Sequence, residues 1–187
     1  MLADSPTLML ENENQIIAKV IGAAPVLADR LEAGQAVEGE ILQGVVEFMR
    51  IFADQCHHDK EEALLFPLLG KKGVPMQGYP VGALTMEHGM GRMLVKGLAY
   101  AAQAYEEGAP VGKQAVVQAL RGIAELYPSY IWKEDNILFL LTNEVLSLQE
   151  QQSLHEQFVQ VEQRVGQDVH QRLEQFAEQL SEHIQAG

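Results

Sequence analysis

Along most of this chain, apolar residues recur every three or four positions, and they alternate almost nowhere. That period is helical, and no segment reads as a strand. Leu8 to about Leu31 reads as a first helix, with Asp4, Ser5 and Pro6 as its start and Pro25 expected to end or kink it. Val37 to Leu69 reads as a second, its apolar stripe carried by Ile41, Val45, Phe48, Phe52 and Leu64. A Gly- and Pro-rich loop from Gly70 to Pro80 follows, then a third helix from about Val81 to Glu106 and a fourth from about Val111 to Leu141. Ser147 to Ile184 reads as a polar helical tail broken near Gly166. Its stripe is Phe158, Val161, Val165, Leu173, Phe176 and Leu180, to be packed on the bundle or on a second subunit. The expectation is one all-α domain, an up-down four-helix bundle at about 8–141 with a C-terminal helical extension at about 147–184.

Composition narrows the function classes. The 187 residues suffice for one domain with its own core. The formal charge of -13 argues against nucleic acid and anionic membranes as partners. No apolar run approaches the ~18 residues of a membrane span. Met1 to Pro6 shows neither a basic segment nor a cleavage pattern, so a cytoplasmic location is expected. Cys56 is the only cysteine, which excludes an intrachain disulfide and thiolate-rich metal sites; it reads as a packed core residue.

An internal repeat locates the chemistry. His57-His58-Asp59-Lys60-Glu61-Glu62-Ala63-Leu64-Leu65-Phe66 aligns with Tyr130-Ile131-Trp132-Lys133-Glu134-Asp135-Asn136-Ile137-Leu138-Phe139. Glu13-Asn14 aligns with Glu87-His88 at nearly the same offset, 74 from Asn14 to His88 against 73 from His57 to Tyr130. Two copies of a helical hairpin close into a bundle with a pseudo-two-fold axis. His57 and Glu61, four apart, share a helix face, and the repeat sets Glu61 and Glu134 across the axis, with His88 from a third helix. Carboxylates are almost never fully buried without a partner, and His/Glu clusters from several helices are how bundles hold metals.

The residues His57-His58-Asp59-Lys60-Glu61-Glu62-Ala63-Leu64-Leu65-Phe66-Pro67, Met86-Glu87-His88-Gly89-Met90-Gly91-Arg92 and Lys133 to Phe139 closely resemble the signatures of the hemerythrin-like HHE cation-binding family. The resemblance implies a bundle around a non-haem di-iron centre that binds or senses O2, NO or peroxide, or handles iron. Carried over by position, the retained metal ligands are His57, Glu61, His88 and Glu134. Two histidines of the family pattern are replaced, by Asn14 on helix one and Tyr130 on helix four. The expected centre is therefore asymmetric, with one or two iron ions, or another divalent metal. Its second position would be left with shared carboxylates, Tyr130 as a phenolate, and Asn14 or Glu13.

Two other functions stay open, an oxygen-activating non-haem iron enzyme and a metal-free helical interaction module. A homodimer through the C-terminal helix is also expected. Pro128, close to the site, is expected to loosen helix four. His58 is placed on the flank of helix two; His155, His170 and His183 in solvent. Trp132, Met49, Met76, Met86, Met90 and Met93 read as packing residues.

Overall fold

The computed structural model describes residues 5–185, and every regular element among them is helical. Asp4, and most of the Met1–Pro6 stretch read for a leader, lie outside the described residues. Helix α1 (Pro6–Glu32) starts where the Ser5 hydroxyl accepts the Leu8 N–H at 3.1 Å and Pro6 fills the first turn. Of the two outcomes expected at Pro25, an end to the helix does not occur. Ala23, Ala24, Leu27 and Ala28 are buried on both sides of the proline, and their packing carries the helix through the lost hydrogen bond.

The second rod comprises α2 (Gly39–Phe48), π-helical segments at Met49–His58 and Glu61–Leu65, and α3 (Phe66–Lys71). The third is α4 (Val81–Glu106). The fourth comprises α5 (Gly112–Lys133), a π-helical segment at Glu134–Leu138, and α6 (Phe139–Val145). The rods close a square, with α1 against α5, α5 against α4, α4 against α2, and the Met49–His58 segment back against α1. Helix α5 runs straight through Pro128, and the wider turn begins six residues later at Glu134. Its counterpart begins at Glu61, with no proline upstream in that rod. The two five-residue π segments thus start at the two repeat-related glutamates, so the widened winding belongs to the repeat and not to Pro128.

The tail folds onto its own bundle. Helix α7 (Leu148–Val165) begins with a Ser147–Glu150 capping box and ends at Gly166, whose φ of 100° breaks it from α8 (Gln167–Gln185). Leu173, Ala177 and Leu180 are buried as α8 lies along α1 and α2. Arg172 grips Glu47 with two hydrogen bonds of 2.9 and 2.8 Å, and Lys19 pairs with Glu178. Among the described residues, no helix is long and apolar enough to cross a membrane.

Two glycines gauge this docking. A Cβ on Gly44 would run into the Phe176 ring of α8, whereas a Cβ on the exposed, mid-helix Gly22 meets open space. Gly44→Ala should lower stability by about 1–2 kcal/mol, net of its helix-propensity gain. Gly22→Ala should raise stability by about 0.5–1 kcal/mol. Denaturant midpoints of the two variants read both signs.

Candidate metal centre

The repeat delivers four side chains to one place. His57, Glu61, His88 and Glu134 are all fully buried. His57 Nε2 stands 3.9 Å from Glu61 Oε2 and 3.8 Å from Glu134 Oε2. His88 Nε2 stands 3.5 Å from Glu61 Oε2 and 3.1 Å from Glu134 Oε1. Donors bonded to one ion at ~2.1 Å stand about 3–4 Å from each other; His57, Glu61 and Glu134 offer ligand atoms all within 4.8 Å of one another, and His88 meets that spacing towards the two glutamates. His57 Nε2 and both oxygens of Glu61 are buried without a hydrogen-bond partner. Buried polar atoms seldom go unpaired, and here three of them converge. The imidazole-plus-carboxylate set therefore fits a divalent or trivalent cation.

An outer layer fixes which nitrogen faces inward. His57 Nδ1 pairs with Glu13 Oε2 at 3.0 Å, and His88 Nδ1 with Glu62 Oε1 at 2.8 Å. Each carboxylate holds its ring by the outer nitrogen and aims Nε2 at the two inner glutamates, the usual support of a metal-bound histidine. Each outer carboxylate has its own cation. The fully buried Lys60 ammonium pairs with Glu13 and lies 2.9 Å from Glu162 of α7; Arg92 Nη2 donates to Glu62 at 2.7 Å. The repeat partner of the Lys60–Glu13 pair is Lys133–Glu87.

Burial and mutual charge set the protonation of these side chains. Burial alone would lower His57, but its bond to Glu13 and the nearby carboxylates of Glu134 and Glu61 outweigh that and hold it up at about 10. Burial is likewise outweighed at His88 by Glu134, Glu62 and Glu61, which keep it near 9. Glu61 is pushed up by burial and then by the charge of Glu134. Glu134 is brought down despite burial, because the two imidazoles stabilise its charge.

The remaining expected residues take different places. Asn14 turns its amide nitrogen to Glu134 Oε2 at 3.1 Å and Asp135 Oδ1 at 2.9 Å, leaving its buried Oδ1 unpartnered. Tyr130 is buried edge-on to the His88 ring, and its hydroxyl lies 3.4 Å from His58 Nε2. Burial, and then neighbouring Tyr127 and Glu134, raise that phenol well above its ordinary value. Glu13 faces Lys60 and His57 Nδ1 and so belongs to the outer layer.

His58 is not on a flank. It is buried, its ring stacked on His88 with centroids 3.9 Å apart, and Nδ1 is 3.3 Å from Asp54. Burial, and then the charge of His88, lower it to about 4, so it stays neutral. Asp54 also accepts from Arg92 Nε at 2.7 Å, which closes a ring of His58, Asp54, Arg92, Glu62 and His88. The sequence signal for this ring was the 54-58-62 spacing, a second four-residue stripe beside His57 and Glu61.

His170, expected in solvent, is mostly buried between α8 and the bundle, against Phe52 and about 4 Å from Glu13 and Glu162. His155 Nδ1 is also buried, whereas His183 reaches Arg30 at the exposed edge. Glu13, Cys56, Glu162 and His170 form a second group of potential donors. The Lys60 ammonium lies between its carboxylates and supplies their countercharge. Cys56 is raised to about 12, by burial and then by Glu13, which keeps it a thiol and bears out its reading as a core residue.

No curated protein and no solved structure matches the chain. The helices α7 and α8 lie beyond the one stretch that a family model matches. That stretch is residues 6–141, the match is to the hemerythrin HHE cation-binding domain, and the chain belongs to that family.

Proposed function

We propose that this chain is a non-haem iron protein that binds a small diatomic ligand such as O2 or NO at an asymmetric centre. The observation that carries this reading is the convergence of His57, Glu61, His88 and Glu134 at metal-ligand spacing, with three unpartnered buried atoms among them. His57, Glu61 and Glu134 would hold one ion, with His88 closing on it from beside the two glutamates. A second ion would share Glu61 and Glu134 and draw otherwise on Asn14 Oδ1 and the Tyr130 hydroxyl, both poor donors in their neutral forms. Iron bound there would supply an open coordination position and a one-electron redox couple.

The chain's own residues set the surroundings. Glu13 and Glu62 hold the imidazoles in one tautomer. Phe66 and Tyr130, both buried against the His88 ring, bound the centre and favour small uncharged ligands over bulky ones. A cavity of about 270 Å³ lined by Arg50, Asp54, His58, Arg92 and Tyr127, among others, leads from the surface to the ring stacked on His88.

Metal analysis of protein loaded with ferrous iron without oxygen should give near one tightly held ion per chain. Glu61→Ala combined with His88→Ala should abolish it while the helical circular dichroism persists. Two equally tight ions, insensitive to Tyr130→Phe, would contradict the asymmetric centre.

The protonation pattern yields a second expectation. His57 and His88, raised to about 10 and 9, carry inward-facing protons at neutral pH, and an incoming ion must displace them. Affinity should therefore rise with pH, roughly tenfold per unit for each proton displaced. In the metal-free protein, the stability these imidazoliums contribute is complete below about pH 6.5 and lost as pH rises through 9 and 10. The gap in Tm between loaded and metal-free protein should thus widen from neutral pH to pH ~9. Calorimetric titration in buffers of different ionisation enthalpy counts the protons, and a count of zero would contradict the geometry.

A further inference from the structure

The repeat relates two outer faces of the bundle, and the structure treats them differently. The offset that carries Glu13 onto Glu87 also carries Ile16, Lys19 and Ala23 of α1 onto Met90, Met93 and Gly97 of α4. On α1, α8 covers this face. Ile16 shares a cavity wall with His170 and Glu174, Lys19 pairs with Glu178, and Ala23 is fully buried. On α4, nothing among the described residues covers it. Met86 is 66% exposed, Met90 50%, Met93 75% and Tyr100 65%. Reading the methionines as packing residues thus fails for these three.

The uncovered residues form a seam. Positions 86, 90, 93, 97 and 100 are spaced four, three, four and three apart, the a/d rhythm of a helix that pairs with another helix. Half a turn round α4, His88, Val95 and Ala102 face the core. Gly97 leaves open space in the middle of the seam, so a second backbone can approach. Beside the seam, Met90, Leu94, Gly122, Leu126 and Ser129, together with Glu87 and Glu125, line a cavity of about 450 Å³ between α4 and α5. Trp132, 57% exposed, lies one turn beyond Ser129 on α5.

We propose that a second copy of this chain docks here, the two α4 helices pairing across a two-fold axis. Area supports a second copy. The exposed parts of Met86, Met90, Met93, Tyr100 and Trp132 amount to roughly 600 Å² per copy, taking about 200 Å² for a large side chain. Two copies then bury about 1,200 Å², the lower bound of a specific interface. Charge supports it too. The chain carries -13, yet α4 has two acidic residues, Glu87 and Glu106, and two basic ones, Arg92 and Lys96, and no charged residue stands on the seam. A self-matching patch meets itself across a two-fold axis. The tail, where the sequence placed the dimer contact, has its own stripe buried against the bundle.

Sedimentation velocity on the full-length protein over a concentration series tests this. The expected result is a reversible monomer–dimer equilibrium. Met90→Glu together with Met93→Glu should weaken the dimer at least tenfold, with helical circular dichroism and metal content unchanged because His88 points the other way. Leu148→Glu, at an equally exposed apolar residue elsewhere, should leave the dimer intact. A monomer at every concentration, or a dimer indifferent to the Met90 and Met93 changes, would overturn the proposal without touching the metal centre.

Discussion

Two fully buried glutamates facing each other across the bundle axis, Glu61 and Glu134, are the constraint around which this molecule is arranged. Each buried, unpaired carboxylate costs several kcal/mol. The outer carboxylates near the centre each have a side-chain cation, Lys60 for Glu13 and Arg92 for Glu62. The inner pair has only the two imidazoles. Without an ion, protons must remain on those rings, and one glutamate is driven towards its neutral form. A single multivalent cation would balance the same charges and occupy the three unpartnered atoms at once. Bundle, outer layer and protonation pattern then have one common explanation.

What could be read from the sequence was what repeats. The four rods, the break at Gly166 and the meeting of His57, Glu61, His88 and Glu134 all followed from periodicity and from the alignment of two hairpins. The winding of the ligand turns was not legible, because a π-helical turn is a response to tertiary packing and leaves the apolar period nearly intact. Neither Pro25 nor Pro128 ends its helix, since the packing of the buried neighbours carries both helices past them. His58 was placed on a flank by the ordinary helical angle from His57. Its burial depends on stacking against His88 from another rod, thirty residues away in sequence. The burial of His170 is invisible in the sequence because its surroundings, Glu13 and Phe52, are supplied only when α8 docks on the bundle.

The departures from symmetry carry the individuality of this family member. One half of the pseudo-symmetric bundle is sealed by its own tail, which sends Glu162 to the buried Lys60. In the other half, Lys133 and Glu87 remain partly open, beside the methionine seam. Periodicity shows that α4 has apolar residues on two sides; it does not show which side is covered, and the packing reading of Met86, Met90 and Met93 failed at that point.

Anomalous diffraction at the iron edge from crystals of the iron-loaded protein tests the central claim most directly. The predicted result is a peak within ~2.3 Å of His57 Nε2, His88 Nε2 and an oxygen of each of Glu61 and Glu134. A peak elsewhere, or none in protein shown to contain iron, would contradict it.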